Sequence, residues 1–178
     1  LDADLEIPPD EVPALVALLE SSGADLAVGS KYHPNARLVW PWKRRILSRL
    51  YHLVTAILFR LPLRDTQTGL KAFRLDVARE IVPRLTSRRF AWDVELVLLA
   101  HRWGREFVTG PVRIEPSSRP SRVTPHAALL AGWDTFRIWL RDKGLGAYGA
   151  SPSRPRPRPP VVRVLVSGDD LGLSRSVD

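Results

Sequence analysis

Asp10-Glu11-Val12-Pro13-Ala14-Leu15-Val16-Ala17-Leu18-Leu19-Glu20-Ser21-Ser22-Gly23-Ala24-Asp25-Leu26-Ala27-Val28-Gly29 is the stretch on which the fold turns. Val12, Leu15, Val16, Leu18 and Leu19 recur at helical spacing, so residues 10 to 22 are expected to form a helix that Gly23 ends. Asp25 to Gly29 then reads as a short buried strand, Leu26-Ala27-Val28. Ahead of the helix, Asp2-Ala3-Asp4 reads either as the acidic end of a strand or as a turn and N-cap device before Pro8-Pro9. Strand, helix and strand together predict an α/β layer.

Further along, Ile46, Leu47, Leu50, Leu53, Val54, Ile57, Leu58 and Leu61 alternate with Lys43, Arg44, Arg45, Arg49 and His52, the pattern of a basic amphipathic helix. A polar loop follows from Arg64 to Gly69, then a strand or turn at Leu70 to Phe73 and a helix from Leu75 to about Leu85. Phe90 to Trp103 has helical periodicity and Gly104 stops it. Glu106 to Ile114 reads as an edge strand, and Pro116 to Pro125 as a loop. Ala127 to Lys143 is a last amphipathic helix carrying Trp133, Phe136 and Trp139.

Residues 146 to 160, dense in Pro and Arg, offer neither periodic apolar positions nor a ladder of donors, so an extended linker is expected there. Val161 to Val166 reads as a fresh buried strand and Ser167 to Ser174 as an acidic turn. The expected division is one domain over 1–145, a linker over 146–160, and the start of a second α/β domain over 161–178.

The 178 residues are 44% hydrophobic, enough for a core. The absence of Cys excludes disulfides and thiolate metal sites. His33, His52, His101 and His126 are scattered without ligand spacing, so any metal would sit on carboxylates. No apolar run reaches the roughly 18 residues a membrane-spanning helix needs. With no Met and with Leu1 first, the chain is expected to be a piece of a longer protein, the upstream part of its first domain lying outside it.

Charge is unevenly distributed within the net +8: seven of the nineteen acids lie in residues 1–25, whereas residues 26–64 hold eight Lys or Arg and no carboxylate. Two readings of the basic helix follow. It packs on the core with an Arg-rich solvated back, or it lies on an anionic membrane surface with Trp40, Trp42 and Tyr51 at headgroup level. Nucleic acid is not expected as a partner, because the Arg and Trp residues sit in no zinc-finger, helix-turn-helix or RNP-like frame. Asp2 and Asp4 offer the hard oxygen ligands that Mg²⁺ and Mn²⁺ prefer, and such cations usually bridge carboxylate to phosphate.

Four stretches, in this order, resemble the family 2 glycosyltransferases of GT-A (Rossmann-like) fold, and among them the dolichyl- and polyprenyl-phosphate glucosyl- and mannosyltransferases: Asp2-Ala3-Asp4-Leu5-Glu6, Gly29-Ser30-Lys31-Tyr32, Asp65-Thr66-Gln67-Thr68-Gly69-Leu70-Lys71-Ala72-Phe73-Arg74, and Phe90-Ala91-Trp92-Asp93-Val94-Glu95-Leu96. The resemblance covers residues 1 to about 143, the C-terminal part of such a domain. It implies that Asp2 and Asp4, assisted by Glu6, hold the metal, and that Asp2, Asp4 and Lys31 hold the nucleotide sugar. Asp65, Gln67, Asp93 and Glu95 would be the catalytic set, and Arg44, Arg119, Ser121 and Arg122 would meet the acceptor phosphate. Glu6 stands where Gln is common and Lys31 where Arg is frequent, so a bidentate phosphate contact is replaced by a point charge.

The implied activity is inverting, Mg²⁺- or Mn²⁺-dependent transfer of a hexose from a nucleotide diphosphate sugar to a polyprenyl phosphate, at the cytoplasmic face of a membrane. Competing classes are a non-catalytic module that binds the membrane surface, and a transferase of the same fold acting on a soluble glycan. The tail, Leu165 to Ser174, is similar to the opening strand and loop of the YdjC-type carbohydrate deacetylases, which would make Asp169 and Asp170 a metal ligand and a base.

Overall fold

The computed structural model describes residues 7–38, 42–63, 65–87, 91–114 and 125–149. The linker after Gly149, the tail with Asp169 and Asp170, the acidic cluster Asp2, Asp4 and Glu6, and the loop residues Arg119, Ser121 and Arg122 lie outside these residues, as does the Arg44 side chain.

The opening helix, α1, runs over Glu11–Ser22 and buries Leu15 and Leu19. It ends at Gly23, whose φ of 66° is the left-handed conformation glycine adopts without a Cβ penalty. The chain turns directly into β1, Leu26–Ser30, buried along its whole length. β2 (Arg37–Leu38), α2 (Trp42–Phe59), β3 (Lys71–Phe73) and α3 (Leu75–Ile81) follow. The helix expected to reach Leu85 stops being α-helical at Ile81. Val82–Arg84 is a single 3-10 turn with Pro83, which has no N–H to donate, inside it. α4 spans Trp92–Arg102, and Gly104 at φ 67° reverses the chain after it.

The edge strand expected over residues 106–114 is two strands, β4 (Phe107–Pro111) and β5 (Arg113–Ile114). β4 pairs parallel with β1, whose other side pairs antiparallel with β3, giving the order β3-β1-β4. β5 leaves that sheet to pair parallel with β2, a two-residue strand too short to carry a sequence signal. The last helix, α5, covers Pro125–Trp139 and continues into a π-helical turn, Leu140–Gly144.

Because side chains alternate across a strand, the three-stranded sheet feeds two cores. Leu26, Val28 and Phe73 join Phe59 of α2, Val77 and Ile81 of α3, Val94, Val97 and Leu98 of α4 and Ile138 of α5 on one face. Ala27 and Ala72 join Leu15 and Leu19 of α1, with Val112 and Ile114, on the other. Helices therefore cover both faces, which explains why β1 reads as an unbroken apolar run rather than an alternating one.

Two sequence readings are revised. Gly146–Gly149, expected to begin the linker, packs on the domain: Tyr148 is buried within the larger core, and Trp103 Nε1 donates to the Gly149 carbonyl at 2.8 Å. Tyr51, which the membrane-surface reading of the basic helix puts at headgroup level, faces α5, its hydroxyl 2.7 Å from Thr135 Oγ1.

Candidate active site

A line of polar side chains begins where β1 ends. Ser30 is buried, and the N–H of the next residue, Lys31, donates to Asp65 Oδ2 at 2.8 Å. Asp65 opens the loop that leads into β3 and folds it as an Asx-type turn: Oδ1 accepts from the Gln67 N–H at 3.2 Å and Oδ2 from Thr68 Oγ1 at 2.6 Å. The Lys31 ammonium lies 3.6 Å from Asp65 Oδ1. From Thr68 the line continues through its carbonyl, which accepts from Lys71 Nζ at 2.7 Å, and Lys71 Nζ also donates to Asp93 Oδ1.

Lys31, Asp65, Thr68, Lys71 and Asp93 are thus joined without interruption at the carboxyl end of β1. In α/β folds ligands bind outside the carboxyl ends of the strands. Two ammoniums and two carboxylates alternate along it, so its charges are internally compensated, and burial keeps the pairs from being screened. Asp93 sits in the first turn of α4, where the helix macrodipole favours a negative charge.

The four residues expected to be catalytic separate into different environments. Asp65 and Gln67 shape the turn. Asp93 is committed to Lys71. Glu95, wholly buried, accepts from Thr86 N–H at 2.9 Å, Thr86 Oγ1 at 2.7 Å, Ser87 N–H at 2.6 Å and the Tyr148 hydroxyl at 2.5 Å. Two positions along α4 from Asp93, it points away from the line and ties the segment before α4 to the end of the domain. Burial, and then Glu95 itself, push the Tyr148 phenol well above the ordinary tyrosine value.

Sequence reasoning missed Lys71, Thr68 and Tyr148 as members of these networks. Lys71 stood inside the apolar run Leu70-Lys71-Ala72-Phe73, and a lysine in a fully buried strand was the available signal, since buried charge requires a partner. An open cleft of about 570 Å³ between Arg84, Leu99, Trp103, Arg141 and the 146–149 segment shares none of the line's residues. Among the described residues no group of three His, Asp or Glu could hold a metal ion.

Residues 1–82 match the family model described as glycosyl transferase family 2. The chain is 30% identical over 114 residues to a polyprenol monophosphomannose synthase of Mycolicibacterium smegmatis, covering 63% of this chain and 43% of that protein. An undecaprenyl-phosphate mannosyltransferase of Micrococcus luteus is 30% identical over 114 residues, 63% of this chain and 46% of that one. A dolichyl-phosphate beta-glucosyltransferase of Drosophila melanogaster is 33% identical over 119 residues, 65% of this chain and 36% of that one. These matches show a chain similar over part of its length to glycosyltransferases, and its mixed α/β fold is consistent with a family 2 domain. The chain spans less than half the length of these relatives.

Proposed function

We propose that the chain is the acceptor-side part of a transferase that moves a hexose from a nucleotide diphosphate sugar to a polyprenyl phosphate, with inversion. The observation that carries this reading is the joined line Lys31–Asp65–Thr68–Lys71–Asp93 at the strand end, in a chain whose relatives are named for polyprenyl- and dolichyl-phosphate glycosyl transfer.

The chemistry asks little of the protein in proton transfer. A phosphate monoester has a second pKa near 6, so the acceptor is mostly dianionic at neutral pH and attacks without a strong general base. What the residues supply is position and charge. Lys31, held by its own N–H on Asp65, offers its ammonium to the donor phosphates. Asp65 and Gln67 set the loop against which sugar and acceptor lie. Lys71 fixes Asp93 below that loop, while Glu95 acts as a positioning residue by locking residues 86 and 87. Arg44, Arg119, Ser121 and Arg122 would meet the acceptor phosphate, which repels the donor's.

Asp2, Asp4 and Glu6 would offer an all-carboxylate donor set of the chemistry that Mg²⁺ or Mn²⁺ prefers. Such a cation, when bound, would stabilise the departing nucleoside diphosphate. The proposed setting is peripheral, at the cytoplasmic face, with α2 on an anionic membrane surface. No described helix is long and apolar enough to cross a membrane. The second-domain reading of residues 161–178, with Asp169 and Asp170 at its first turn, is proposed on the sequence similarity alone.

The test is transfer of labelled hexose from nucleotide sugar to polyprenyl phosphate by the full-length protein. Asp4→Ala is expected to abolish it, and Asp65→Asn to lower turnover by about 100-fold, the scale of a misplaced reacting group. Wild-type turnover in either variant sinks that residue's assignment. Transfer to a soluble glycan but not to the lipid, or vesicle binding without any transfer, would replace the proposed function.

A further inference from the structure

Asp93 brings the first turn of α4 to the strand-end line, and the other end of the same helix borders the open cleft of about 570 Å³. Leu99 and Trp103 come from that end, Arg84 from the 3-10 turn after α3, and Arg141 from the π-helical turn after α5. Tyr148 and Gly149 complete the lining.

The cleft carries charge of one sign. Arg84 and Arg141 line it and no acid does. The acids closest in the chain are engaged elsewhere: Asp142 with Arg102 through hydrogen bonds of 2.8 and 2.6 Å, Glu80 with Arg105, and Glu95 with Thr86, Ser87 and Tyr148. Arg84 lies over the Trp103 ring, 5.2 Å from its centroid, and gives one N–H to the Glu80 carbonyl rather than to a carboxylate. Arg141 has no side-chain hydrogen bond or ion pair among the described residues, and its Nε is buried without an acceptor. A buried donor left unmet costs free energy, which an acceptor brought by a ligand would recover.

We infer that this cleft binds a soluble phosphate monoester of the size of a sugar phosphate, its phosphate between the Arg84 and Arg141 guanidiniums and its body against Trp103 and Leu99. Two guanidiniums match the double charge of such a phosphate, and their planar forks suit its oxygens. The volume exceeds what one phosphate ion fills and lies within the range of about 300–1,000 Å³ common to small-molecule sites. Leu99 and the Trp103 indole offer apolar surface to a carbon skeleton, and the backbone of residues 146–149 offers polar groups to its hydroxyls.

The walls are already held in place. Trp103 Nε1 donates to the Gly149 carbonyl at 2.8 Å, the Tyr148 hydroxyl to Glu95 at 2.5 Å and the Ala147 N–H to the Arg141 carbonyl at 3.0 Å. Little ordering is then left for a ligand to impose, which favours binding. None of Lys31, Asp65, Thr68, Lys71 and Asp93 lines the cleft, so the inference stands apart from the proposed transfer.

Titration calorimetry of the full-length protein with glucose 6-phosphate, free of nucleotide sugar, lipid and divalent cation, tests it. Wild type is expected to bind glucose 6-phosphate about tenfold or more tighter than inorganic phosphate, and not to bind glucose. Arg84→Gln and Arg141→Gln should each weaken binding by about tenfold or more, with unchanged circular dichroism spectra. The exposed Arg84 keeps the test decisive even where Arg141→Gln fails to fold. Arg141→Lys retains the charge without the fork and should recover only part of the loss. Lys31→Ala should bind as wild type does, so a defect in transfer there concerns the proposed function and leaves the cleft untouched. Equal affinity for phosphate and its ester, wild-type affinity in Arg84→Gln, or loss of binding in Lys31→Ala would overturn the inference.

Discussion

Lys71 Nζ and the Asp93 carboxylate meet in the interior, Lys71 1% exposed on β3 and Asp93 4% exposed in the first turn of α4. The pair links sheet to helix across the site. Removing one partner strands a buried charge, so Lys71→Met is expected to lower stability by about 3–5 kcal/mol, read from the urea midpoint. Lys71→Met/Asp93→Leu should recover most of that loss. Equal losses in the single and double variants would show that packing, not the ion pair, makes the position sensitive.

Two glycines should answer oppositely to alanine. A Cβ on Gly29 would sit 2.5 Å from Val112 Cγ1 and 3.2 Å from the Leu70 carbonyl oxygen, so Gly29→Ala is expected to cost about 1–3 kcal/mol by overpacking. A Cβ on Gly132, inside α5, meets nothing within 4 Å, and Gly132→Ala should stabilise by about 0.5–1 kcal/mol. Thermal unfolding of the two variants in opposite directions is the check.

Alkali should loosen the fold through its tyrosines. Burial raises the Tyr148 phenol, reinforced by Glu95, and burial raises Tyr51, so both stay neutral in the fold where an unfolded tyrosine ionises near pH 10. Their contribution is complete below about pH 10 and is lost as pH climbs beyond it. Tyr148→Phe is expected to flatten the fall in urea midpoint between about pH 10 and 11.5. An unchanged slope would remove Tyr148 from the account.

His101 works at the other end of the scale. Burial first, then the neighbouring Arg102, lower its pKa, so the unfolded imidazole takes a proton that the folded one resists. Stability is expected to fall as pH drops below about 6.5, the ordinary histidine value. In His101→Gln that part of the acid sensitivity should disappear.

Periodicity made α1, β1 and α4 readable, and Gly23 and Gly104 their ends, because those signals are local. Motif order singled out Asp65 and Lys31 as candidates, and the structure joins them by a hydrogen bond that no spacing could announce. Lys71 escaped because its role depends on a partner 22 positions away. Tyr148 escaped because a Gly-Ala-Tyr-Gly stretch reads as linker until Glu95 is seen to accept its hydroxyl. The outward apolar stripe of α5, with Leu129, Trp133 and Phe136 exposed, had been indistinguishable from a core face: sequence periodicity says that a helix has an apolar side, not whether anything covers it.

β1 lies between a strand that follows it at Lys71–Phe73 and one that arrives only at Phe107–Pro111. During synthesis β1 therefore emerges before both of these partners and waits for β4 while α2, β3, α3 and α4 are made. Pairings this distant form slowly, and unpaired apolar strands invite association with other chains. A nascent chain halted before Phe107 is expected to be a ready client for chaperones, and the arrival of β4 to release it.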